Sequence, residues 1–322
     1  MTMNFKSIVL IICIISLLSG CSRGSDKTET GYSLDDDKTD TGQYEIYSVK
    51  IYKNTPAWEL ARAVKEQKTQ KIAEIAKSKP KLLEYHDPIY GTTLLIWAVG
   101  TERYDAAETL LKAGANPNAI TLKCAGETAL HLAAKFSYVD SQRDAKYVKL
   151  LLKYGANPNI GLVSNYDHGI GEAGQTPLMN SIAYGIEKTK ALVEGGADIN
   201  ARTPTGMTAA IAALMSSQGV NMESEEEYAH YLIAEKHADI TKPWLPKPVY
   251  FPSDPQQRIE TVTFLRRWTP ELNSKGYEMK MDIVKEFARQ GVDYWKSKIP
   301  EDVVEWAKKD YPDTWKEYLK KY

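Results

Sequence analysis

Near the start of the chain, residues 8–18 form an almost wholly apolar run, with Lys6 ahead of it and "LSGC" closing it at Cys21. About eleven residues is the length of a signal-peptide core, whereas a spanning helix needs about twenty, so the pattern predicts an export signal. Residues 22–43 hold one aliphatic residue, Leu34, among Ser, Thr, Gly, Asp and Lys, and read as a flexible tether. "YEIYSVKIY", residues 44–52, is rich in β-prone types and predicts a strand. The period then becomes helical, with Leu60, Ala63, Val64, Ile72 and Ile75 marking a first helix pair. Apolar pairs recur at Leu110/Leu111, Leu151/Leu152 and Leu192/Val193. Beyond Trp244 the four prolines of "LPKPVYFPSDP" interrupt the pattern, and four helical stretches follow, with Pro300 and Pro312 at apparent helix starts.

Two short motifs alternate through the middle of the chain. "LLKAGANPNAI", "LLKYGANPNIG", "LVEGGADINAR" and the weaker "LIAEKHADITK" place Ala115, Ala156, Ala197 and Ala238 each 41 residues apart. "GTTLLIWAV", "GETALHLAA", "GQTPLMNSI" and "GMTAAIAAL" begin at Gly91, Gly126, Gly174 and Gly206. The alternation resembles the ankyrin repeat, in which G-x-T-P-L-H-x-A opens an inner helix and L-L-x-x-G-A-D/N-x-N closes an outer one. Thr93, Thr128, Thr176 and Thr208 can cap the inner helices, and Gly114, Gly155 and Gly196 sit where a left-handed residue ends the outer ones. His237 takes the glycine's place in the fourth repeat and predicts a strained or different cap. Ankyrin units usually run about 33 residues. The extra length here falls between the helices of the second and fourth repeats, and in the connection at residues 159–174.

The resemblance implies an all-α ankyrin-repeat solenoid, built of helix-turn-helix units with finger hairpins, plus a C-terminal helical cap or small helical domain. The expected layout is a signal at 1–20, a lipidated flexible tether at 21–55, the repeats with an N-terminal cap at 56–244, and a helical region at 245–322. Ankyrin arrays bind proteins through fingers and inner helices.

Leu18-Ser19-Gly20-Cys21 resembles the lipobox of bacterial lipoproteins. In that family the cysteine thiol accepts a diacylglycerol, the signal is cut before it and the new amino terminus is acylated. Cys21 is therefore the expected lipidation site. Cys13 would leave with the signal, so Cys124 would remain as a free thiol.

Composition narrows the chemistry. With 41 Lys+Arg against 42 Asp+Glu the net charge is −1, and no basic cluster tracks phosphates, which argues against a nucleic-acid partner. The five histidines are scattered, and no nucleophile elbow, phosphate loop or H-E-x-x-H is present. No catalytic residue, metal ligand, cofactor or small-molecule substrate is assigned, and the expectation is a non-enzyme. His131 occupies the histidine position of the motif beside Thr128, where a local hydrogen bond is the expected role. The 20 Tyr and 7 Trp outnumber 5 Phe, as suits surfaces that pack on one side and meet a partner on the other. Tyr90, Phe136, Tyr166, His168 and Tyr184 fall near fingers, inner-helix ends or the long connection, and are the candidate partner-binding residues.

A repeat protein with a lipobox resembles the immunity proteins of bacterial type VI secretion systems, in particular those directed against lipase or phospholipase effectors. That resemblance implies binding of a toxic effector in the periplasm. Ser22 after the cysteine points to the periplasmic face of the outer membrane. An envelope scaffold that organises a resident or detoxifying enzyme is the alternative.

Overall fold

The computed structural model describes residues 46–135, 144–165, 171–216, 225–245 and 258–321. The described elements are helices, with two isolated antiparallel bridges, Ile120 to Thr128 and Trp244 to Ile259. The expected strand at 44–52 is corrected: Val49–Tyr52 is a turn of 3-10 helix, because the Ser48 side chain accepts the Lys50 N–H and turns the backbone. Among the described residues no helix is long and apolar enough to cross a membrane. The chain divides into two compact units at residues 197 and 198.

The first unit holds four helix pairs: α1 (Trp58–Lys65) with α2 (Thr69–Ser78), α3 (Leu94–Gly100) with α4 (Tyr104–Lys112), α5 (Ala129–Ala134) with α6 (Lys146–Lys153), and α7 (Pro177–Asn180) with α8 (Ile186–Glu194). Inner helices pack on inner helices, α3 on α5 and α5 on α7. Outer helices do the same, α2 on α4 and α6 on α8, while Tyr104 and Tyr147 meet edge to face at 5.3 Å between α4 and α6. Leu110, Leu151 and Leu192 are wholly buried, each covered by the adjacent pair.

Threonine caps the inner helices α3, α5 and α7. The Oγ1 atoms of Thr93, Thr128 and Thr176 accept the backbone N–H three residues on, at 3.4, 3.3 and 3.5 Å. The outer helices α4, α6 and α8 end on a left-handed glycine, Gly114, Gly155 or Gly196, and the next amide closes back on the helix, as Ala156 N–H does on the Leu151 carbonyl at 3.0 Å. Asparagines then lace the loops together. The Asn118 amide donates to the Gly155 carbonyl at 3.1 Å while its oxygen accepts the Asn157 N–H at 2.7 Å, and Asn159 repeats the donation to Gly196 at 3.0 Å.

The second unit begins with α9 (Ala209–Ser216), capped by Thr208, and α10 (Glu225–Ala229) running into a π-helix, His230–Glu235. His237 adopts the left-handed conformation that glycine takes elsewhere, with φ 58°. A further helix pair follows, α11 (Thr261–Arg267) and α12 (Lys275–Arg289), α11 packing on α9 and α12 on the π-helix. The end of α12 reproduces the outer-helix terminus: Gly291 has φ 84° and Val292 N–H returns to the Phe287 carbonyl at 2.8 Å. Two wholly or nearly buried cations tie α11 to α12 and the segment beyond it. Lys280 donates to the Trp268 carbonyl at 2.7 Å, and the Arg266 guanidinium lies 3.9 Å from the Tyr294 ring centre while donating to that residue's carbonyl. A hairpin of α13 (Glu301–Asp310) and α14 (Trp315–Lys321) has its own small core of Val303, Ala307, Tyr318 and Leu319.

His131 has the local role expected of it. Its Nδ1 accepts the Thr128 backbone N–H at 3.2 Å, so the proton sits on Nε2, which faces the Gln175 carbonyl at 3.1 Å. Burial lowers its pKa from 6.5 to about 4.

Two predictions follow from these contacts. A methyl group on Gly155 would meet nothing within 4 Å, so Gly155→Ala should cost only the left-handed backbone penalty of about 1–2 kcal/mol. On Gly126 a methyl would strike the Val163 side chain as well, and urea titration should show Gly126→Ala to be the more destabilising of the two. His131 takes up its proton near pH 4 when folded and near 6.5 when unfolded. Stability from this residue is therefore complete above pH 6.5 and falls as the pH drops towards 4, by about 3 kcal/mol in all. A His131→Gln variant should lack that slope when urea midpoints are compared across this range.

Candidate functional site

The fingers precede the inner helices and are built almost wholly from backbone bonds. In the first described finger Thr121 N–H donates to the Glu127 carbonyl at 2.9 Å, opposite the bridge between Ile120 and Thr128. In the next, Leu162 N–H donates to Gln175 at 3.0 Å and Gly174 N–H returns to Leu162 at 2.8 Å. Successive fingers are joined by backbone amides, the shorter bond of each join being Leu122 N–H to the Gly91 carbonyl at 3.0 Å and Val163 N–H to the Ala125 carbonyl at 2.8 Å. The side chains on those two amides, Leu122 and Val163, are each 62% exposed. They are large apolar groups at one register of neighbouring repeats, held outward by a rigid ladder. Within the second unit Leu245 stands in the same relation, its N–H bonded to the Thr205 carbonyl at 2.8 Å and its side chain 39% exposed.

Beside the fingers, polar side chains at the ends of α5 and α7 and on the outer helix α8 form partly buried contacts. Glu127 pairs with Lys135, and Lys188 reaches the Lys135 carbonyl at 3.1 Å. The side chains of Gln175 and Asn180 bond at 2.5 Å. Buried pairs of this kind give little net stability against an apolar core. Trp97, Leu132 and Asn180 occupy one register of α3, α5 and α7, the fourth residue after each capping threonine.

Of the sequence-derived candidates, Tyr90 and Tyr184 lie within the described residues, and both are half-buried. Tyr90 sits in a turn organised by the buried Asp87 carboxylate, which accepts the N–H groups of Ile89, Tyr90 and Thr92 at 2.6–2.8 Å. Its carbonyl accepts Lys123 N–H of the first finger. Tyr184 follows α7, between Ala183 and Gly185, both with positive φ. The two tyrosines thus mark different places in their repeats, one before and one after an inner helix. Phe136, Tyr166, His168 and Cys21 lie outside the described residues. Cys124, expected as a free thiol, is corrected: it is disulfide-bonded, with a partner outside the described residues.

Sequence reasoning about aromatics passed over Leu122 and Val163. Their signal was positional, since each stands four residues beyond the ladder asparagines Asn118 and Asn159.

Comparison with known proteins agrees with this geometry. Residues 60–161 match the family model for ankyrin repeats, in three copies. The chain is 36% identical over 129 residues to Protein PhlB of Serratia liquefaciens, covering 40% of this chain and 48% of that protein. It is 29% identical over 178 residues to Ankyrin repeat and SOCS box protein 6 of Homo sapiens, covering 55% of this chain and 38% of that one. The chain thus spans less than half the length of these relatives. The capping threonines, left-handed glycines, stacked fingers and family match together show that ankyrin repeats are present, in an all-α fold of the ankyrin type.

Proposed function

We propose that this chain is a non-enzymatic, protein-binding lipoprotein of the bacterial envelope, and that it acts as an immunity protein. Its partner would be a toxic lipase or phospholipase effector delivered by a type VI system and neutralised in the periplasm. The protein-binding part of this reading rests on the ankyrin repeats and is carried by the finger ladder, whose Leu122 and Val163 side chains stand 62% exposed on a rigid backbone. Apolar groups pre-positioned in this way bury area on a partner at little cost in ordering. The envelope part rests on the apolar run at 8–18 and the lipobox at Cys21. Several acyl chains at Cys21 would hold the protein on the membrane, since one chain binds only marginally.

The lipoprotein part is tested at Cys21: Cys21→Ser should move the protein from the membrane to the soluble envelope fraction. Unchanged membrane fractionation would remove the lipoprotein reading.

The functional test expresses a candidate lipolytic effector in the periplasm with and without this protein. Survival should require the protein, and the two should form a complex. Leu122→Asp combined with Val163→Asp should weaken that complex at least ten-fold while the urea midpoint stays within about 0.5 kcal/mol of the parent, as for exposed positions. If no lipolytic effector is neutralised and only resident envelope proteins are bound, the immunity reading fails.

A further inference from the structure

Charge is unevenly spread along the first unit. Residues 53–84, which hold α1, α2 and the short 3-10 helix Pro80–Glu84, have eight Lys and Arg against four Glu, in a chain whose net charge is −1. All eight cations are exposed. Two are taken up within the pair, Lys68 by Glu66 and Lys71 by Glu59 at 3.1 Å. Lys53, Arg62, Lys65, Lys77, Lys79 and Lys81 form no ion pair among the described residues. Cations of both helices share one field: Lys71 chiefly, with Lys79 and Arg62 after it, lowers the Glu59 carboxyl, and Lys68, then Arg62 and Lys65, lower Glu66. The apolar side chains of the pair, Leu60, Val64, Ile72 and Ile75, are buried. No exposed large apolar side chain lies between residues 48 and 84, while Tyr47, just ahead of the patch, is 52% exposed.

A protein partner is held by buried apolar anchors, and this face offers none. Lipid headgroups need only cations near their phosphates and an amphipathic ring at the boundary, which Tyr47 supplies. The four glutamates interrupt the cations, which suits mobile headgroups better than the fixed spacing of a nucleic-acid backbone. We infer that the exposed face of α1 and α2 docks on an anionic lipid surface through Arg62, Lys65, Lys77 and Lys79. Its setting rests on the lipoprotein reading above. Residues 22–45 lie between Cys21 and the first described residue, and a coil of about 25 residues spans about 25–30 Å. A tether of that length holds the patch at a millimolar effective concentration beside the membrane, so a contact too weak to recruit a free protein is populated once lipid holds the chain. Salt screens exposed charges, and at physiological ionic strength the patch alone leaves the Cys21→Ser variant in solution. The consequence is orientation: the end of the first unit that bears α1 and α2 faces the bilayer, and successive fingers stand farther from it.

Vesicle co-sedimentation of the full chain tests this, with Cys21→Ser as the parent so that no acyl chain contributes. Vesicles of one-third phosphatidylglycerol in phosphatidylcholine are compared with phosphatidylcholine alone. Taking the ratio of the two partition coefficients removes any binding by the apolar run at 8–18, which does not depend on headgroup charge. The ratio should be about ten or more at low salt and fall towards one at about 0.5 M salt. Arg62→Gln combined with Lys65→Gln, Lys77→Gln and Lys79→Gln should bring it below about two with the urea midpoint unchanged. Lys296→Gln with Lys298→Gln, at side chains 87% and 85% exposed, should leave it as it was. Should the quadruple variant fail to fold, Lys77→Gln with Lys79→Gln must at least halve the ratio. A parent ratio near one, whether or not soluble polyglutamate binds in place of lipid, overturns the inference. So does a ratio that survives neutralisation or falls equally in the Lys296 and Lys298 control. No arm needs lipid at Cys21, so this outcome is separate from the fractionation that decides the lipoprotein reading.

Discussion

A single pair of short helices cannot cover its own apolar face, and everything else in this protein answers to that limit. Leu110, Leu151 and Leu192 are completely buried, and helix pairs packed side by side provide the cover that one pair lacks. The stacking demands a fixed spacing, and the threonine caps, left-handed glycines and asparagine bonds between loops set it. With the helices thus held, the described fingers fall into line through backbone bonds, and their outward side chains form a surface.

Much of the fold was legible in the sequence because its determinants are local. A threonine three residues before the amide it caps, and a glycine at a helix end, show in a linear reading, and the structure places Thr93, Thr128, Thr176 and Gly114, Gly155, Gly196 accordingly. The pair α11 and α12 was read only as helical stretches, because the opening motif is missing there. Glu260 stands at the cap position of α11 and its side chain makes no capping bond. The closing signal survived as Gly291-Val292, which repeats the geometry of the earlier outer-helix ends. Residues 49–52 failed as a strand for a local reason too, since β-prone side chains say nothing of a serine that folds the backbone onto itself.

The candidate surface was less legible. A search for aromatics led to Tyr90 and Tyr184, which the structure sets in half-buried turns, whereas the exposed large apolar groups on the described fingers are the aliphatic Leu122 and Val163. Nothing in the composition marks Leu122 or Val163, and only their register after the asparagines does. The contact of His230 with Asp282 was invisible for another reason. Asp282 lies 52 residues away and meets the imidazole through tertiary packing alone.

The asparagine ladder also bears on how this chain can change over generations. The length beyond the usual repeat lies between helices and within the longer finger, yet Asn118 to Leu122 and Asn159 to Val163 share the same four-residue step. In that step one residue bonds to the following loop while the other bonds to the preceding finger, so its length is fixed from both sides. Insertions and deletions are thereby channelled elsewhere. A residue added inside either step would break one of its two bonds, whereas one added elsewhere in the connection leaves both in place.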